Sequence, residues 1–152
     1  MPLPSNVWLW IHVPLLVAAY ALLSAGAAAG GLFLVQDSAL KRRQFLPDAL
    51  RLPSLQSMDR FAHLMVLAAF PILSLGMLAG SLWAHETRGH YWGWTPKETF
   101  ALITWLIYAA YFGMRSLSGW RGRKATYLSL AGYALALLTW ILVNTLSVFR
   151  TY

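Results

Sequence analysis

Trp83, His85, Arg88, His90, Tyr91, Trp92, Trp94, Lys97 and Glu98 fall within a run of sixteen residues. Indole and phenol rings offer flat apolar walls. Imidazole nitrogens can ligate a metal, and arginine and lysine pair with anions through charge-assisted hydrogen bonds. Such a set suits a planar, apolar ligand that carries carboxylates. Haem has that chemistry; a quinone would satisfy the walls but not the cations. A plainer role exists for the rings alone, because Trp and Tyr gather at membrane interfaces, where one side of the ring is apolar and the other wet. Such a belt would also hold Trp8 and Trp10. It accounts for each ring singly, but less well for their crowding beside two histidines and two cations.

Two further features bear on this segment. Thr95-Pro96-Lys97-Glu98 spells a helix start: Thr95 as N-cap, Pro96 at the first helical position and Glu98 closing a capping box. That role is sufficient for the four residues without any ligand, and Glu98 also suits the positive end of the helix dipole. His12 lies five residues into the first apolar run, about 7–8 Å below its start. An ionisable group there is either a functional residue or a neutral histidine bonded to a neighbouring helix. His63, near the far end of the second run, is read as an interfacial side chain.

These residues must be positioned by membrane helices. The 152 residues are 59% hydrophobic and 11% charged, with mean hydropathy +0.54. Soluble domains carry about a quarter charged residues. Runs of about 20 apolar residues cross the hydrocarbon core, and four are present: about 7–35, 60–84, 96–114 and 125–149. The fold expected is an all-α integral membrane protein, a single membrane domain with four transmembrane helices and a tryptophan-rich connection between the second and third. Gly26/Gly30 and Gly76/Gly80 have the small-xxx-small spacing that lets helices approach closely, and Pro71 predicts a kink in the second span. Pro47 and Pro53 disfavour a continuous helix through the first connection.

Charge predicts orientation. Lys41, Arg42, Arg43, Arg51, Arg60, Arg115, Arg121, Arg123 and Lys124 flank the first and third connections, against Arg88, Lys97 and Arg150 on the other side. The positive-inside rule then puts both termini and the tryptophan-rich connection on the outer side of the membrane. The net charge of +7 follows from this topology and not from nucleic-acid binding, for which no motif is present. The start, MPLPSN, lacks the basic residue of a secretory signal peptide, so the first run is expected to be retained. The absence of cysteine excludes disulfides, thiolate metal sites, a cysteine nucleophile and covalent haem attachment through C-x-x-C-H. No nucleophile–base pair or metal motif marks an independent enzyme. Charged residues sit at span ends and not along a polar path, which gives little support to a transporter.

"LWAHETRGHYWGWTPKETFALITWLIYAAYFGMR" and "GWRGRKATYLSLAGYALALLTWILVN" resemble the cytochrome c assembly family of haem-handling membrane proteins, which includes CcsA/ResC, CcmC and HemX-like members. "WIHVPLLVAAYALL", "LFLVQDSALKRR", "LPSLQSMDRF" and "FPILSLGMLAGSLWA" extend the likeness to its CcsA/HemX branch, over the C-terminal part of a typical CcsA.

The resemblance implies a bacterial-type plasma membrane location and non-covalent haem binding on the outer face, for delivery to apocytochrome c. Trp83, Tyr91, Trp92, Trp94, Lys97 and Glu98 match the haem-binding segment, and His12 matches the outer histidine before it. The chain also departs from the family. Thr95 stands where an aspartate is usual, Gly113 replaces a histidine after "IYAAY", and Arg150 replaces the histidine of an "HSY"-like ending. His12 then requires a substitute second ligand, His85 or His90, while Arg88, Lys97 or Arg150 would pair with propionates. The alternative implied by these losses is a non-catalytic structural or regulatory subunit. On either reading another membrane subunit is expected to supply the missing helices.

Overall fold

The structure, a computed structural model, describes residues 7–43 and 52–149, with side chains described as far as 145. Among these residues there are four α-helices: α1 Val7–Lys41, α2 Leu55–Arg88, α3 Pro96–Leu117 and α4 Arg123–Phe149. All four are long and apolar enough to cross a membrane. The helices outrun the apolar spans. At 35 residues, α1 is about 52 Å long, well beyond a hydrocarbon core of about 30 Å. α2 continues to Arg88, so His85 and Arg88 join Trp83 in its final turns and do not belong to the loop. Both Pro14 and Pro71 lie inside continuous helices.

Caps set the boundaries. Ser54 caps α2 through the Ser57 amide, and Gly89, with φ 76°, closes it in the left-handed conformation that glycine adopts without strain. The capping box expected at Thr95 and Glu98 is present at the start of α3, with Pro96 in its first turn.

Successive helices run antiparallel, and α1 returns against α4, closing a four-helix bundle. The start of α1 and the end of α4 therefore share one end with the α2–α3 connection. Glycines admit the close approaches. Gly76 and Gly80 of α2 receive Leu16 and His12 of α1; Gly26 faces Met65 and Ala62, and Gly30 faces Thr126 of α4. The core comprises Leu23, Val66, Ala69, Tyr108, Tyr111 and Ala125. Tyr108, 1% exposed, packs against Gly132 and donates its hydroxyl to the Ser129 carbonyl at 3.2 Å. Ser24 and Tyr133 join α1 to α4 at 2.9 Å, and Trp105 donates to Ser74 between α3 and α2 at 2.8 Å.

The opposite, basic end is tied by carboxylates. Asp59 accepts from both terminal nitrogens of Arg115, at 3.2 and 2.8 Å, and from the Gly122 amide at 3.2 Å. Asp37 pairs with Arg123 and Lys41, and Arg123 also reaches Ser38 at 2.9 Å. His63 meets α3 near this end. Its Nδ1 lies 3.2 Å from the Tyr111 hydroxyl, and its ring lies beside Phe112.

Candidate ligand-binding site at the tryptophan-rich end

His12 is placed by α1 and oriented by α2. Its Nδ1 lies 2.6 Å from the carbonyl oxygen of Gly76. A carbonyl only accepts, so Nδ1 carries the proton and Nε2 keeps its lone pair. Metal-ligating histidines are commonly prepared in this way, with the second nitrogen donating to a carbonyl. The edge bearing Nδ1 and Cε1 packs over Gly80, and Nε2 lies farther from it. One turn nearer the end, the Trp8 indole donates to Glu86 at 2.8 Å, so a second bond pins α1 to α2. No sequence signal links Glu86 to Trp8, because the two lie 78 residues apart.

His85, in the last turn of α2, stacks on Tyr91 with centroids 4.1 Å apart and planes 13° from parallel. It lies five residues past Gly80, about 7–8 Å along the axis and about 140° around it. His12 and His85 therefore occupy different flanks of α2. His90 is exposed in the loop, its ring lying against Gly93. Among the described residues, no group of three or more His, Asp or Glu is placed to hold a metal ion.

The loop from Gly89 to Thr95 is organised from within. Glu98 accepts from the amides of Gly93 and Thr95 at 2.8 and 3.1 Å, and from Arg88 at 3.3 Å. Trp94, between those amides, has φ 52°, a left-handed conformation rare in residues with side chains. Trp92 and Trp94 meet edge to face, with centroids 6.0 Å apart. Trp94 is 70% exposed and Tyr91 54%. The Trp92 Nε1 is buried and has no acceptor, an arrangement that normally calls for a partner. Trp83 is half-buried on α2, and Lys97 is exposed in the first turn of α3. Arg150 lies outside the described residues.

The residues present fit a haem-like ligand. They offer an imidazole lone pair at His12, exposed aromatic faces at Tyr91 and Trp94, an unpaired donor at Trp92 and the Lys97 cation. Arg88 is partly neutralised by Glu98, which leaves Lys97 as the less engaged charge among the described residues.

A family profile described as Cytochrome C assembly protein matches residues 1–149. Curated relatives carry the name "Cytochrome c biogenesis protein CcsA". The protein from Guillardia theta is 32% identical over 96% of this chain and 54% of its own length. That from Chlamydomonas reinhardtii is 33% identical over 95% of this chain and 40% of its own length. That from Trichodesmium erythraeum is 44% identical over 63% of this chain and 27% of its own length. The chain thus spans about half the length of the first relatives it matches, 54% of two of them. No solved structure matches.

Proposed function

The chain belongs to the cytochrome c assembly protein family, and from that premise we propose that it is a haem-handling membrane protein of cytochrome c biogenesis. In this reading the tryptophan-rich end faces the outer side of a bacterial-type plasma membrane, with both termini on that side, and holds haem non-covalently. The supporting observation is the 2.6 Å contact of His12 Nδ1 with the Gly76 carbonyl, which leaves Nε2 as a donor to iron. When bound, haem supplies the vinyl-bearing macrocycle that is the cargo of cytochrome c assembly.

The chain's own residues bind and orient. His12 gives a nitrogen from the α1–α2 seam. Trp83, Tyr91, Trp92 and Trp94 cover the faces of the ring system, and Lys97 neutralises a propionate. His85 sits on another flank of α2 from His12, so His90 is the second imidazole of choice. Apocytochrome c is the recipient in this reading. Another membrane subunit is a further partner in this reading, and the chain spans about half the length of its first relatives, 54% for two of them.

The test is a reduced-minus-oxidised absorbance spectrum of the purified protein loaded with hemin, with and without a co-purifying membrane subunit. His12→Ala is expected to change the position and intensity of the haem bands. An unchanged spectrum removes His12 as ligand, and absence of any haem signal in both preparations defeats the reading.

A second reading, as a non-catalytic subunit of a membrane complex, is favoured by one feature of α1. Ala18, Ala21 and Ala28 are exposed on its surface, where small residues permit close helix contact. Stable co-purification with a larger membrane protein, without haem, would select this reading.

A further inference from the structure

Glu98 sits at the centre of the loop and makes all its bonds to the chain itself. Its Oε2 accepts from the amides of Gly93 and Thr95, at 2.8 and 3.1 Å, the two residues that flank Trp94. Its Oε1 takes Arg88 from the last turn of α2 at 3.3 Å. Trp94 itself stands at φ 52°. A tryptophan in the left-handed region is strained and persists only where its surroundings over-determine it. Two amide bonds to one carboxylate oxygen, one on each side of the residue, provide that constraint. At Gly93 a Cβ would meet the end of the exposed His90 ring, 2.8 Å from Cε1, and would stand in ordinary contact, 3.5 Å, with Glu98 Oε2, so the loop lies close on the carboxylate there.

The capping box explains the bond to Thr95. It does not require the bond to Gly93 or the pairing with Arg88. Those two contacts turn a helix cap into a clamp that spans the loop from the end of α2 to the start of α3. Their product is an indole that is 70% exposed yet held edge to face against Trp92.

We infer that Glu98, braced by Arg88, is a positioning residue that fixes the Trp94 indole as a rigid wall for a planar ligand, and does not itself touch that ligand. The part concerning ligand affinity rests on the haem-handling reading. The part concerning the clamp does not. Rigidity raises affinity because the ring's freedom is lost before the ligand arrives and not on binding.

The test uses the full chain in nanodiscs, near-ultraviolet circular dichroism of the ligand-free protein, and titration with hemin. Trp94→Phe first defines the part of the dichroism that belongs to Trp94. Glu98→Ala is expected to abolish that part and to weaken hemin binding about tenfold. Glu98→Gln keeps one carbonyl oxygen for both amides but turns its NH2 group toward Arg88, so it is expected to restore only part of each. In the Trp94→Phe background, Glu98→Ala should change hemin affinity by less than about twofold, since acting through Trp94 makes the two substitutions non-additive. The inference is overturned if Glu98→Ala leaves the Trp94 signal intact. It is equally overturned if the loss of affinity is the same with and without Trp94, the mark of direct contact. Should Glu98→Ala not fold, Arg88→Ala removes the brace with Glu98 in place and is expected to weaken the same signal, and an unchanged signal overturns the braced clamp. If the unsubstituted protein binds no hemin, the haem reading fails, and the dichroism of these variants still decides for or against the clamp.

Discussion

His12 of α1 lies so close over Gly80 of α2 that a Cβ there would stand 2.7 Å from the imidazole Cε1 and 2.8 Å from Nδ1. The glycine and the histidine thus specify each other, and the bond from Nδ1 to Gly76 depends on both.

Gly80→Ala is accordingly expected to lower stability by about 1–3 kcal/mol, the usual effect of overpacking a tight contact. It should also turn His12 away from the Gly76 carbonyl. Gly76→Ala meets the end of the flexible Leu16 side chain, at 2.9 Å from Cδ2, and should destabilise less. Unfolding of both variants in mixed micelles checks the order. Equal stability for Gly80→Ala and the unsubstituted protein would mean that the imidazole is not held as described.

At the basic end, Asp59 holds Arg115 and the Gly122 amide together, and neither side chain of the ion pair is more than 17% exposed. Removing one partner leaves the other charge half-desolvated and unmatched. Asp59→Ala is expected to destabilise by more than an exposed pair contributes, about 0–1 kcal/mol, and by less than breaking a fully buried pair, about 3–5 kcal/mol. Asp37→Ala should do less harm, because the cations it pairs with are more exposed, Lys41 at 61% and Arg123 at 36% against 12% for Arg115, and solvent screens such pairs. Thermal unfolding of the two variants gives the comparison; a larger loss for Asp37→Ala would reverse the ranking.

The Thr95 side chain accepts from the Glu98 amide and completes the cap of α3. Loss of an N-cap typically lowers stability by about 0.5–2 kcal/mol. Thr95→Ala is expected to fall in that range, whereas Thr95→Asp should stay within about 0.5 kcal/mol because aspartate caps as well as threonine. Helical circular dichroism during unfolding distinguishes them. A Thr95→Asp variant as unstable as Thr95→Ala would show that the cap does not tolerate charge beside Glu98.

Much of this arrangement was legible in the sequence because it follows from local chemistry. Apolar runs long enough to span hydrocarbon gave four helices, the small-xxx-small spacing at Gly76 and Gly80 marked a close approach, and Thr95-Pro96-Lys97-Glu98 marked a cap. What was not legible depends on backbone geometry and on residues distant in sequence. Apolarity ends near Ala84, but α2 runs on to Arg88, where the left-handed Gly89 ends it; this moves His85 and Arg88 onto the helix. The site residues His12 and His85 share a membrane end in the linear reading. Helical phase, visible only once α1 is docked on the Gly76/Gly80 face, separates them. Glu98 was legible as a cap residue, and its bond to Gly93 was not, because that depends on the left-handed turn at Trp94.

Two hydrogen bonds of similar chemistry should differ in weight because they differ in burial. Tyr108 is 1% exposed, and its hydroxyl reaches the Ser129 carbonyl across the α3–α4 seam. The Trp8 indole reaches Glu86 at 2.8 Å across the α1–α2 seam, but at an exposed position where water competes for both partners. Tyr108→Phe preserves the ring packed on Gly132 and removes only the hydroxyl, so a loss of about 1 kcal/mol is expected, typical of one net hydrogen bond. Trp8→Phe is expected to cost less than about 0.5 kcal/mol, in the range of substitutions away from buried features. Unfolding of the two variants under identical micelle conditions checks the order. A larger effect for Trp8→Phe would place the main support of the His12 seam at its exposed end, in the Trp8–Glu86 bond, instead of in the glycine contacts beneath it.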